Sequence, residues 1–175
     1  VTPAPVVLVT GVPGAGKTTL ARQLSQHTLL PILSLDTVKE SLYDALCVQD
    51  GLREAAWAVI VALLADCPRG AIVDVWIDPV RDRDSVRTSL AIAGHRDVVE
   101  LVCRVPADLA VERYCRRRRH GVHLEPDEQT LQRIRSAVSM FSPLGLGLSL
   151  DIDTSHEVDI AAVLQWLSGH AGTTG

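Results

Sequence analysis

Between Val6 and Leu24 the chain passes from an apolar run, VVLVT, through GVPGAGKT into an amphipathic stretch, TLARQL. Few backbones make that passage. Glycines at 11, 14 and 16 open conformations closed to other residues, so the segment reads as a strand, a tight turn and a helix. Further apolar runs follow: PILSLD from Pro31, GAIVDVW from Gly70, VVELVCRV from Val98 and LGLSLDID ending at Asp153. Helical patterns separate them. Continuous apolar strands alternating with amphipathic helices predict a parallel sheet of five strands covered on both faces, an α/β class of fold in three layers.

The helices are expected from Gly14 to about Gln26, from Asp36 with that side chain as cap, and over DGLREAAWAVIVALLADC, where Trp57 would join the core. A fourth opens at Asp78-Pro79 and closes at Gly94; ADLAVERYCRRRR, DEQTLQRIRSAVSMF and SHEVDIAAVLQWLSGH supply the rest, the last with Ser155 as its cap. At 175 residues the chain fits one domain, 1–175. Residues of the apolar class make up 47% although only three Trp, two Tyr and one Phe are present, so the core is aliphatic.

The spacing G-x-x-x-x-G-K-[ST] is met by Gly11, Gly16, Lys17 and Thr18. Phosphates need dense donors in a dry place. Consecutive backbone amides supply them, and here Gly14, Ala15, Gly16 and Thr19 complete a cradle, with Pro13 shaping the turn and the helix N-terminus adding its dipole. Lys17 would reach the β and γ phosphates and Thr18 would ligate Mg²⁺. The cradle predicts a P-loop NTPase fold that binds ATP or GTP.

What faces the terminal phosphate decides the chemistry. Ligands of such sheets lie beyond the carboxyl ends of the strands, so Asp36, just after PILSL, belongs on the same rim and is placed to accept the proton of an acceptor hydroxyl. Asp74 ends an apolar strand, as a metal-shell or acceptor-site carboxylate does in a Walker B element. Trp76 follows as a wall of the acceptor site or a cover of its rim, and Asp78 reads as a cap. In ERYCRRRRHGVHLEPDE, Arg113 and Arg117 are four apart on one helical face. Arginines delivered by a mobile segment can stabilise charge on a transferring phosphoryl group, while a basic surface helix is the other reading of this stretch. His120, Gly121 and His123 read as a hinge or tip of such a segment, whereas Arg116, Arg118 and Arg119 point elsewhere around the helix.

The combination GVPGAGKTTLARQL with LSLDTVKESL resembles the small P-loop kinases that include the kinase domain of polynucleotide kinase, chloramphenicol phosphotransferase and the zeta-toxin group. The resemblance implies that Asp36 is the general base, that Lys39 binds substrate, that the arginine-rich stretch is a lid over about 113–127 whose closure shuts out water, that Arg113 and Arg117 in it approach the ATP phosphates, and that the turn at Asp153 and Thr154 packs against the adenine. The expected activity is an ATP- and Mg²⁺-dependent transfer of the γ-phosphate to a hydroxyl of a small molecule. A polynucleotide 5'-hydroxyl or nucleotide kinase is the neighbouring alternative, and a nucleotide-binding switch acting through a partner is one of another class. The net charge of −4 and the scarcity of aromatic side chains disfavour a polynucleotide partner. The four cysteines show no paired spacing, and no apolar run nears the ~20 residues of a membrane span, so a cytoplasmic location with reduced thiols is expected and the oligomeric state stays open.

Overall fold

A computed structural model describes residues 6–117, 120–123 and 125–170. Among them run β1 (Val6–Thr10), α1 (Lys17–Thr28), β2 (Ile32–Ser34), α2 (Leu35–Leu46), α3 (Leu52–Ala65), β3 (Ile72–Asp74), α4 (Arg83–Ile92), β4 (Val98–Arg104), α5 (Ala107–Arg116), α6 (Glu128–Met140), β5 (Leu148–Asp153) and α7 (Ile160–His170). The strands form one parallel sheet in the order β2-β3-β1-β4-β5, as the alternation of apolar runs and helices implied.

Strand β1 lies at the centre and is buried along its length. Its side chains alternate between two cores. Val7 and Val9 meet Leu20 and Leu24 of α1, Ala110 of α5, Ile134 of α6 and Val163 of α7 on one face. Val6 and Leu8 meet Ile60 and Leu64 of α3 and Leu90 of α4 on the other. Each such side chain contributes roughly 1.5–3 kcal/mol on leaving water, and both faces of β1 collect it. Trp57 sits at the margin of the second core, half-buried, its Nε1 donating to Ser89 Oγ at 3.1 Å.

Cover is incomplete at the β5 edge, where Leu148, Ser149, Asp151 and Asp153 are exposed. Charges on an exposed edge discourage pairing with another chain. Next to it, Glu100 is fully buried within β4, its carboxylate accepting from Leu144 N at 2.6 Å and Leu146 N at 2.8 Å. A carboxylate inside an apolar strand thus anchors the loop that leads into β5.

Several helix boundaries differ from those expected. α2 is capped by Ser34, whose Oγ accepts from Thr37 N at 3.4 Å, so Asp36 stands in the first turn and not at the cap. Asp78 does not open α4. Its Oδ1 accepts from Val80 N and Arg81 N, closing a turn, and the helix begins at Arg83. Likewise α7 starts at Ile160, where Asp159 Oδ1 takes Ala162 N at 3.0 Å; Ser155 instead donates to Asp153. α5 ends at Arg116, with Arg117 extended beyond it, so Arg113 and Arg117 do not share a helical face; Arg118 and Arg119 lie outside the described residues.

Candidate active site

The turn between β1 and α1 needs its glycines. Gly14 and Gly16 have φ of 83° and 80°, in the region side chains avoid, and a Cβ on Gly14 would run into the carbonyl of Ala110. The loop therefore lies against α5. Thr154 braces it from below, its hydroxyl 2.8 Å from Ala15 O and 2.9 Å from Arg104 O. Gly11 and Ala15 are buried beneath the turn, while Pro13, Gly14 and the segment Gly16–Thr19 line the cleft above it.

Lys17 is partly buried and donates to Val12 O at 3.1 Å. Burial lowers its pKa, and the carboxylates of Asp74 and Asp36 push the other way. Thr18 Oγ1 donates to Asp74 Oδ2 at 2.7 Å. Asp74 is itself raised by burial, with Lys17 and Thr18 opposing and Asp36 adding to the rise. Asp36 therefore lies within electrostatic reach of both groups. Behind them the buried Cys103 thiol is pushed up to about 12 by desolvation and stays protonated.

Above this floor opens a cleft of about 640 Å³. Its far wall is α2, offering Leu35, Asp36, Lys39 and Glu40; Arg53 arrives from the start of α3, and Val75 and Trp76 from the end of β3. Arg113, Tyr114, Arg117 and His123 close the third side. Trp76 is 38% exposed, so its ring is available as a wall. Arg117 reaches the cleft although α5 has ended, because the extended backbone after Arg116 carries it there.

Asp153 and Thr154 do not line this cleft. Thr154 is 6% exposed and occupied as the brace under Ala15, while Asp153 borders a separate hollow of about 260 Å³ with Arg104, Val138 and Phe141. Its Oδ1 accepts from Ser155 N and Oγ, which turns the loop after β5. Arg113 Nη2 connects the two regions through Ser155 O at 3.4 Å.

Six lining residues were not foreseen from sequence: Arg22, Leu35, Glu40, Arg53, Val75 and Tyr114. Arg22 and Glu40 follow Thr18 and Asp36 by four, so helical spacing alone would have found them. Arg53 could be found only from the packing of α3 beside β3, where its guanidinium donates to Trp76 O at 3.3 Å and to Asp82 at 3.0 Å.

The donor set can hold a nucleoside triphosphate. Six cations, Lys17, Arg22, Lys39, Arg53, Arg113 and Arg117, face three carboxylates, Asp36, Glu40 and Asp74, on a chain whose formal charge is −4. The cleft is a positive island. No helix among the described residues is long and apolar enough to cross a membrane.

Residues 6–141 match a family described as an AAA domain. No curated protein matches the chain. Among solved structures, the chain is similar to a candidate kinase from Chloroflexus aurantiacus J-10-fl, with 25% identity, 97% of each chain covered and a TM-score of 0.79. It also shares its fold with a sugar kinase from Janibacter sp. HTCC2649 (21% identity, 95% of each chain, TM-score 0.66). The same holds for a shikimate kinase from Acinetobacter baumannii (18% identity, 96% of this chain and 95% of that one, TM-score 0.67).

Proposed function

The chain belongs to the AAA-domain family, and from that premise we propose that it is a small-molecule kinase: it moves the γ-phosphate of ATP, or of GTP, to a hydroxyl of its acceptor. One observation carries the reading. The carboxylate of Asp36 stands exposed on the wall of the cleft that Lys17 and Asp74 floor, close enough to act on both. A switch that only binds nucleotide needs no solvent-facing carboxylate opposite its cradle, and a hydrolase would turn one on water whether or not an acceptor is present. A phosphotransferase needs one, to aim the hydroxyl and receive its proton. The kinases among the similar structures support the same reading.

In this reading the cradle amides and Lys17 hold the triphosphate, and Arg113 and Arg117 offset charge that spreads over the transferring phosphoryl oxygens. Lys39 has no hydrogen bond or ion pair among the described residues and stands one turn from Asp36, placed to bind a polar or anionic group of the acceptor. Trp76 supplies the apolar wall. The whole chain, 1–175, acts as one kinase domain, with a lid over about 113–127.

Thr18 and Asp74 offer the hard oxygen donors that Mg²⁺ takes. Among the described residues no three His, Cys, Asp or Glu side chains gather as a metal site, so phosphate oxygens and water would complete the shell. When bound, the cation would neutralise charge on the phosphates.

The test is ATP consumption across hydroxyl compounds and oligonucleotides with the native chain and Asp36→Asn. The asparagine should lower acceptor-dependent turnover by about 10²- to 10⁴-fold while nucleotide binding, read by thermal shift, persists. Near-normal turnover of the variant on a true acceptor would remove Asp36 from the mechanism. Salt-sensitive binding of an oligonucleotide with turnover at its 5'-hydroxyl would replace the small acceptor by a nucleic acid.

A further inference from the structure

The loop after α5 is tied to α2 at two points. His123 Nε2 lies 2.7 Å from Glu40 Oε1, and His120 Nε2 lies 2.9 Å from Asp44 Oδ1. Asp36, Glu40 and Asp44 follow one another at intervals of four along α2, so one ridge of the helix carries both anchor points and the carboxylate that faces the cradle. An ionised carboxylate only accepts, so each Nε2 must carry the proton and donate it. For His120 the other nitrogen is fixed as well: Val122 N donates to Nδ1 at 3.3 Å, which leaves that ring a neutral donor toward Asp44. Tyr43 meets the His120 ring edge-on, with centroids 5.5 Å apart. The inner pair is the drier one, its side chains 17% and 32% exposed against 26% and 68% for the outer, so water competes less for it.

Arg117 has no helix to hold it. Its N donates to Arg113 O at 3.2 Å on one side, and α5 has already ended. Yet its guanidinium lines the cleft and acts on Lys17 and Asp74. Something downstream must fix the segment. We propose that Glu40 and His123, backed by Asp44 and His120, are positioning residues: they clasp the loop to α2, hold Arg117 over the phosphate end of the cleft, and register it against Asp36 on the same helix. The contacts stand by themselves; their catalytic role rests on the kinase reading above.

Trypsin reads the clasp without any turnover, because residues 116–119 are all arginine. In the nucleotide-free chain, Glu40→Ala and His123→Ala should each raise cleavage in that run by about tenfold, and the double variant no further than either single one, since both remove the same contact. Glu40→Gln, which keeps an acceptor oxygen, should stay near the native rate. Unchanged cleavage in all variants, or increases that multiply in the double variant, overturns the clasp. In turnover, the double variant should lose about tenfold in kcat through the displaced Arg117, with nucleotide KM moving less than about twofold, and should release a larger share of phosphate to water. A kcat that holds while nucleotide KM rises overturns the positioning role. Protected arginines in a chain that transfers phosphate to no acceptor would sink the kinase reading alone, and phosphotransfer by a chain with freely cut arginines would sink the clasp alone.

Discussion

At the cradle, Lys17, Thr18, Asp74 and Thr154 all have partners inside the protein, and three backbone carbonyls, those of Val12, Ala15 and Arg104, take part in fixing them. On the opposite wall, Asp36 and Lys39 stand on the surface of α2 with no hydrogen bond or ion pair among the described residues. The two sides face one cleft yet are built by different means. Donors aimed in advance at a fixed triphosphate stabilise it without reorganising, which suits the cradle. Side chains on a helix surface keep their rotamer freedom until an acceptor orders them, so the other wall can be changed without disturbing the first.

Breaking that contrast takes one methyl group at the cradle. Gly14→Ala adds a Cβ against the Ala110 carbonyl at a φ of 83°. The combined overpacking and left-handed strain should cost roughly 2–4 kcal/mol by denaturant unfolding and abolish the thermal shift caused by nucleotide. Gly51→Ala is the control. Its φ is 72° but nothing lies within 4 Å of the added Cβ, so only about 1 kcal/mol should be lost and the nucleotide shift kept. Equal losses at the two positions would mean that the close approach of the turn to α5 carries no stability.

A smaller effect sharpens the contrast from the other side. Lys39→Ala removes a cation with no hydrogen bond or ion pair among the described residues, so the described fold loses no partner. Stability should change by less than about 0.5 kcal/mol, while acceptor KM rises about tenfold and nucleotide KM holds. A rise in nucleotide KM of the same size would place Lys39 on the phosphates and erase the division between the walls.

The division also explains how much could be read before folding. Gly11, Gly16, Lys17 and Thr18 are adjacent in the chain, and the strand and helix that flank them are fixed by the same stretch, so the cradle and the parallel sheet were both legible. Asp74 was legible for a similar reason, as the polar end of an apolar strand. The helix starts were misread where two side chains compete for one job. Ser34 takes the cap of α2 ahead of Asp36, and Asp78 closes a turn ahead of α4. Thr154 was expected beside a base, yet its hydroxyl lies between Ala15 O and Arg104 O, a contact across 139 residues that no local pattern encodes. The α2 side of the cleft was only half legible: Asp36 and Lys39 lie in the motif, but Arg53 joins them only through the packing of α3 beside β3.

The smallest effect concerns what holds Arg53 on that side. Asp82 accepts from Arg81 Nε at 2.7 Å, from Arg53 Nη2 at 3.0 Å and from Asp78 N at 3.1 Å. These bonds, that of Arg81 foremost, hold its carboxyl below the ordinary carboxylate range. A carboxyl whose folded value is depressed gives up its proton more readily in the native state than in the unfolded one. Its contribution is therefore complete above the unfolded value and disappears as pH falls through the folded one. Arg81 is 62% exposed, and solvent screens the pair, so Asp82→Asn should cost only about 0.5–1 kcal/mol at neutral pH. Unfolding curves for the variant and the native chain should converge as the pH drops below the range where free carboxyls titrate. A gap that keeps its size through and below that range would mean that Asp82 holds Arg53 by shape and neutral hydrogen bonding, and this side of the cleft would then owe the placing of Arg53 to packing and not to charge.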